Sequence, residues 1–143
     1  MRRTPRRVYH ALVAALMIGF AAASSLIAAS AGFDESVPLL CVPIEITECE
    51  TGGKCYHGTA EDVNLPHFIK VNLKEKMLTG VGKAADRTTP ISFMQRDNGT
   101  VVLHGGQNGR AWTAVISEAT GKLSASISEE GTAFLIFGAC TPL

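Results

Sequence analysis

Gly121-Lys-Leu-Ser-Ala-Ser-Ile-Ser128 puts Leu123, Ala125 and Ile127 on one face of an extended chain and Ser124, Ser126 and Ser128 on the other. A strict repeat of two, apolar against hydroxyl, is the pattern of a half-buried antiparallel strand. The same period recurs on both sides of this stretch. His67-Phe-Ile-Lys-Val-Asn-Leu73 turns Ile69, Val71 and Leu73 inward, and Ile91-Ser-Phe-Met94, Val101-Val-Leu-His104 and Ala111-Trp-Thr-Ala-Val-Ile116 read as further strands. Ala133-Phe-Leu-Ile-Phe-Gly138 is apolar on both faces, which places it centrally in a sheet and hints at something covering its outer side.

Turn chemistry falls between these runs. Asp97-Asn98-Gly99 and Asn108-Gly109 supply the positive backbone angles of tight hairpins, and Thr120-Gly121 and Glu130-Gly131 punctuate the later ones. Lys74-Glu75-Lys76 makes a polar tip between Leu73 and Met77. Thr59-Ala-Glu-Asp62, with Pro66 beyond it, predicts one short helical turn. Gly82 to Thr89 has no strand period and reads as the longest exposed loop. The expected fold is therefore all-β: a single antiparallel meander of about seven to nine strands, closing into a small barrel or sandwich, with at most one short helix.

The first 31 residues stand apart. Four arginines and no acid occupy residues 1–8, an uncharged alanine-rich run follows from Ala11 to Ala31, and Ala29-Ser30-Ala31 offers a small-x-small exit. This is the pattern of a secretory signal peptide cleaved near Ala31, and it predicts a periplasmic or secreted protein. The Ala, Ser and Gly content argues against retention as an anchor, since these residues partition weakly into hydrocarbon. Residues 32–143 then form one mature domain, a length that suits a single core. Removing the four leader arginines leaves nine Lys+Arg against thirteen Asp+Glu, a formal charge of −4. Without a basic stripe the domain is a poor fit for nucleic acid or anionic lipid, so neither is expected as a partner.

All four cysteines, Cys41, Cys49, Cys55 and Cys140, lie in the mature part. Four allow three pairings. Glu50-Thr51-Gly52-Gly53-Lys54 can turn back on itself, which favours Cys49 with Cys55 and leaves Cys41 and Cys140 to join the first strand to the last. A redox or zinc role finds no C-x-x-C spacing, so these read as structural disulfides of an oxidising compartment.

The search for chemistry is short. No G-x-S-x-G elbow, H-E-x-x-H, P-loop or G-x-G-x-x-G is present, so no catalytic residue, cofactor or resident metal is expected. Gly105-Gly106-Gln107-Asn108-Gly109 leads from strand to strand, without the helix that completes a phosphate cradle, and reads as a hairpin loop. His57 near Glu45, Glu48 and Glu50 is the one metal-binding alternative. His104 reads as a surface residue. Trp112, the only tryptophan, reads as a core anchor with Ala114 and Ile116, with ligand stacking as its alternative role.

The Cys41 to Cys55 segment with its Glu48-Cys-Glu-Thr-Gly-Gly-Lys-Cys55 hairpin, Asn64-Leu-Pro-His-Phe-Ile-Lys-Val-Asn72, Trp112-x-x-x-Ile116, Thr120-Gly-Lys-Leu123 and Phe137-Gly-Ala-Cys-Thr-Pro142 resemble a group of small exported proteins of proteobacteria. The resemblance implies a compartment and a β-rich fold, and carries no activity and no site residues. A barrel would also be similar to lipocalin-like carriers, but the lipocalin Gly-x-Trp near the start of the domain is missing, and Gly109-Arg-Ala-Trp112 has another spacing. The leading expectation is a non-catalytic exported domain that binds a partner or serves the envelope. A small-molecule or lipid carrier with a barrel cavity is the alternative, and a metal-binding protein the second.

Overall fold

Period-two alternation dominates the chain and so does the strand. A computed structural model describes residues 33–143; the expected leader lies outside them. Ten strands follow in order: β1 (Leu39–Glu50), β2 (Lys54–Gly58), β3 (Ile69–Asn72), β4 (Met77–Gly80), β5 (Thr88–Pro90), β6 (Phe93–Asp97), β7 (Thr100–Gln107), β8 (Arg110–Ser117), β9 (Lys122–Glu129) and β10 (Thr132–Pro142). All pairings are antiparallel, in the order β5-β4-β3-β1-β10-β9-β8-β7-β6, with β2 added beside β1. The fold is all-β, as the alternation requires. The strand count exceeds the expected seven to nine because β2 and β5 are too short to leave a period of their own.

The sheet curls into a half-barrel, and one segment holds its two edges together. Residues Thr88–Pro90 pair with β4; the chain then bends at Ile91-Ser92, and Phe93–Asp97 pairs with β7. At the bend Ile91 N–H donates to Lys76 O and Ser92 N–H to His104 O, both at 2.9 Å. Of the strand expected at Ile91–Met94, Phe93 and Met94 lie in β6, whereas Ile91 and Ser92 form the corner, with Ile91 buried inside it.

The first strand needs a correction to simple alternation. Leu39 and Cys41 face inward, yet so does Ile46, which has the opposite parity. A β-bulge between Pro43 and Glu45 absorbs one residue, leaving Ile44 64% exposed. An extra residue on one strand flips every side chain beyond it.

The two hairpins with Asn-Gly turns have both central residues at positive φ, 47° and 74° at Asn98 and Gly99 and 54° and 79° at Asn108 and Gly109. This is the turn whose twist matches that of its flanking strands. The turn at Asn108-Gly109 is only two residues long, so Gly105 and Gly106 belong to β7 and not to the loop they were expected to form. Thr59–Asp62 carries its reciprocal bonds but closes a turn without continuing as helix. The helical turn is a 3-10 turn at Gly82–Ala84, within the segment read as loop.

Cys41 is bonded to Cys140 and Cys49 to Cys55. The first pair ties β1 to β10 at a position where they are already cross-strand partners. The main core gathers around it: Leu39, Val71, Leu73, Val101, Leu103, Ile116 and Leu123. Phe33 packs into this cluster, and Arg96 holds the segment in place by donating to Phe33 O while pairing with Glu35 and Glu118. One end of the half-barrel is therefore filled. On the outer side, Leu135 and Phe137 of β10 are each 49% exposed, so among the described residues nothing covers the second apolar face that the sequence pattern drew attention to.

Candidate functional site

Cross-strand register stacks the inward residues of β7 to β10 in layers. Val101, Ile116 and Leu123 align in the deepest. Leu103, Ala114, Ala125 and Ile136 form the next, and Gly105, Trp112, Ile127 and Phe134 the one above. The outermost layer is polar, with Gln107 opposite Arg110. Arg110 is ion-paired with Glu129 of β9. These strands thus grade from apolar at depth to polar at the mouth, with charge at Arg110 and Glu129.

Two alanines side by side, Ala114 and Ala125, leave their layer short of volume. The result is a cavity of about 740 Å³ inside the half-barrel, lined at depth by Cys41, Val71, Leu103 and Ile116 and at its mouth by Arg87, Gln107, Arg110 and Glu129. That size lies within the range of small-molecule sites, roughly 300 to 1,000 Å³. Trp112 forms part of the wall. Its ring lies across Gly105, where a Cβ would overlap the indole and Pro90 O, and its Nε1–H donates to Thr89 Oγ1 at 3.3 Å. Trp112 therefore packs on the core and also borders the cavity.

Residues 59–66 form a flap beside the mouth. Ala60 is buried against Ile46, Phe134 and Ile136, and Leu65 packs on the same cluster while lining the cavity. Local bonds shape the flap: Leu65 N–H donates to Ala60 O at 2.7 Å, and both the backbone N–H and the hydroxyl of Thr59 donate to Asp62 Oδ2 at 2.8 Å. The Thr59 backbone bond first, then its hydroxyl, holds the Asp62 carboxyl below its ordinary pKa. The latch comes from the residue just before β5. Arg87 donates from one terminal nitrogen to Asn64 O at 2.7 Å and from the other to Asn64 Oδ1 at 3.3 Å.

The metal alternative does not come together. His57 lies opposite Thr47 and shares a 3.0 Å contact with its hydroxyl, whereas Glu48 pairs with Tyr56 and Glu50 with Lys54, on the opposite face of the hairpin. Among the described residues no group of three or more His, Cys, Asp or Glu side chains is placed to share a metal ion. His104 stands on the outer face between Thr113 and the ring of Phe93. His67 contacts Glu61 at an exposed position of the flap.

No protein-family model, curated protein or solved structure matches this chain. The site is therefore read from its own residues. Arg87 and Leu65 escaped the sequence reading, Arg87 because it sits in a stretch with no period and Leu65 because it was assigned to a short helical turn and its exit. The signal that could have found Arg87 is that Arg87 and Thr89 alternate with Asp86 and Thr88, a two-residue period too short to stand out. Among the described residues no helix is long and apolar enough to cross a membrane.

Proposed function

We propose that this domain is a non-catalytic exported binding protein that holds one small apolar or amphipathic molecule inside the half-barrel. The observation that carries the reading is the cavity of about 740 Å³, apolar at depth and polar at its mouth. A wall of this kind removes an apolar body from water at roughly 25 cal/mol per Å² while leaving a polar end solvated. The register supports it: neighbouring strands place Ala114 and Ala125, not larger residues, at the level where a filled core would need volume. Export is supported by the basic, apolar and small-x-small sections of residues 1–31 and by two disulfides, which persist in oxidising compartments.

Native mass spectrometry of the chain recovered from an exported fraction tests this directly. A retained species of a few hundred daltons is the expected result, reduced or lost in Ala125→Phe, whose ring would occupy the space. Thermal shift adds a second readout, because a ligand at 100 times its Kd stabilises by about 2.7 kcal/mol. An apo mass in every preparation, with no shift across a panel of apolar and amphipathic compounds, refutes the carrier reading.

A further inference from the structure

Arg87 sits at the mouth and forms no ion pair. It is half-buried, as is Thr89, while Asp86 and Thr88 are exposed at the rim of the same cavity. Its two partners, Asn64 O and Asn64 Oδ1, are both neutral. The ion pairs among the described residues are His67 with Glu61, Arg96 with Glu35 and Glu118, and Arg110 with Glu129; Arg87 is in none of them. The second arginine of the mouth, Arg110, is thus neutralised by Glu129, and the first is not.

A guanidinium has five N–H donors, and Asn64 engages two of them. The planar fork that remains matches a carboxylate better than any single-point anion. Thr89, on the same strand face, accepts from Trp112 Nε1 and keeps its own hydroxyl proton to donate. Below these groups the wall is Trp112, Ala114, Ala125 and Leu103. From the level of Arg110 to that of Ile116 is six residues, about 20 Å along the strand and about 15 Å once the tilt of a barrel strand is allowed for.

We infer that the molecule held in the cavity is a single-chain amphiphile with an acidic head, a fatty-acid-like monoanion whose carboxylate is bound by Arg87 and whose chain runs down the wall past Trp112. This rests on the carrier reading and adds the chemical class. A neutral head leaves the guanidinium without an anion, and a cationic head meets it as a like charge.

The test is a titration of the full mature chain with lauric acid, 1-dodecanol and dodecylamine, followed by the fluorescence of Trp112, the chain's only tryptophan. Laurate is expected to bind roughly tenfold or more tighter than dodecanol, the scale of one charge-assisted hydrogen bond, with dodecylamine weakest. Arg87→Gln should abolish the preference for laurate over dodecanol, whatever its effect on the two together. Arg87→Lys, which keeps the charge and loses the fork, should fall between. Ala125→Phe should weaken all three. Equal affinity for laurate and dodecanol in the wild type, or a preference for laurate that survives Arg87→Gln, overturns the acidic-head assignment while leaving the cavity reading standing. Binding of none of the three overturns both.

Discussion

Replacing Cys41 and Cys140 together by alanine removes a cross-link between positions 99 apart, whereas the same replacement at Cys49 and Cys55 opens a loop spanning only six. On the chain-entropy account a loop of about 100 residues contributes about 4.7 kcal/mol, and a loop of six or seven contributes about 2.3 kcal/mol. Cys41 is buried at 2% exposure and Cys140 at 7%, so the long pair also loses packing against Leu39 and Leu123, which widens the gap. Unfolding entropy of about 2.1 cal/mol/K per residue converts these losses to melting shifts of about 20 °C and about 10 °C for a domain of this size. The assay is calorimetric or circular-dichroism melting of the two double variants beside the oxidised wild type. Urea titration supplies an independent check. Freeing the ends of the long loop lets the unfolded chain expand, so m should rise for the Cys41/Cys140 variant and hardly change for the other. Equal losses for the two variants, or a larger loss at Cys49/Cys55, would refute the reasoning. A wild-type melting curve unmoved by reductant would refute the structural role of both bonds.

Gly105→Ala places a methyl group where Trp112 and Pro90 O already lie; a loss of about 1–3 kcal/mol and a changed Trp112 emission spectrum are expected. An unaltered spectrum would show that the ring does not rest on Gly105. Ile116→Ala, at a position 1% exposed, should cost about 2–5 kcal/mol in urea denaturation, whereas Val115→Ala, its outward neighbour, should stay below about 1 kcal/mol. The Asp62 carboxyl, lowered by its bonds from Thr59, stabilises the flap at pH above the ordinary carboxylate value of 3.8 and loses that effect as pH falls through its folded value. Carbon-detected NMR titration should place its midpoint below that of an unperturbed aspartate. Protection of the Thr59 amide, relative to its intrinsic exchange rate at each pH, should fall at acid pH in the wild type and not in Asp62→Asn.

The alternation of Leu123, Ala125 and Ile127 with serines, and the Asn-Gly pairs at 98–99 and 108–109, are local properties: a strand's face and a turn's φ are set within a few residues of the chain. For that reason the all-β class, the hairpin positions and the tight Cys49-to-Cys55 return can be read directly from neighbouring residues. Ile44 shows where such reading fails, since a bulge leaves no compositional mark and yet reverses the parity of everything after it in β1. The bend at Ile91-Ser92 fails it too, because serving two sheet edges depends on partners in β4 and β7 that lie on either side in sequence. Ala114 and Ala125 read only as small inward residues until register sets them side by side. Arg87 is one charge in a shapeless segment until the pairing of β3, β4 and β5 carries it to Asn64, 23 residues away. Strand identity follows from the backbone and its immediate neighbours; a cavity is the volume left between distant neighbours, and only the closed sheet decides which those are.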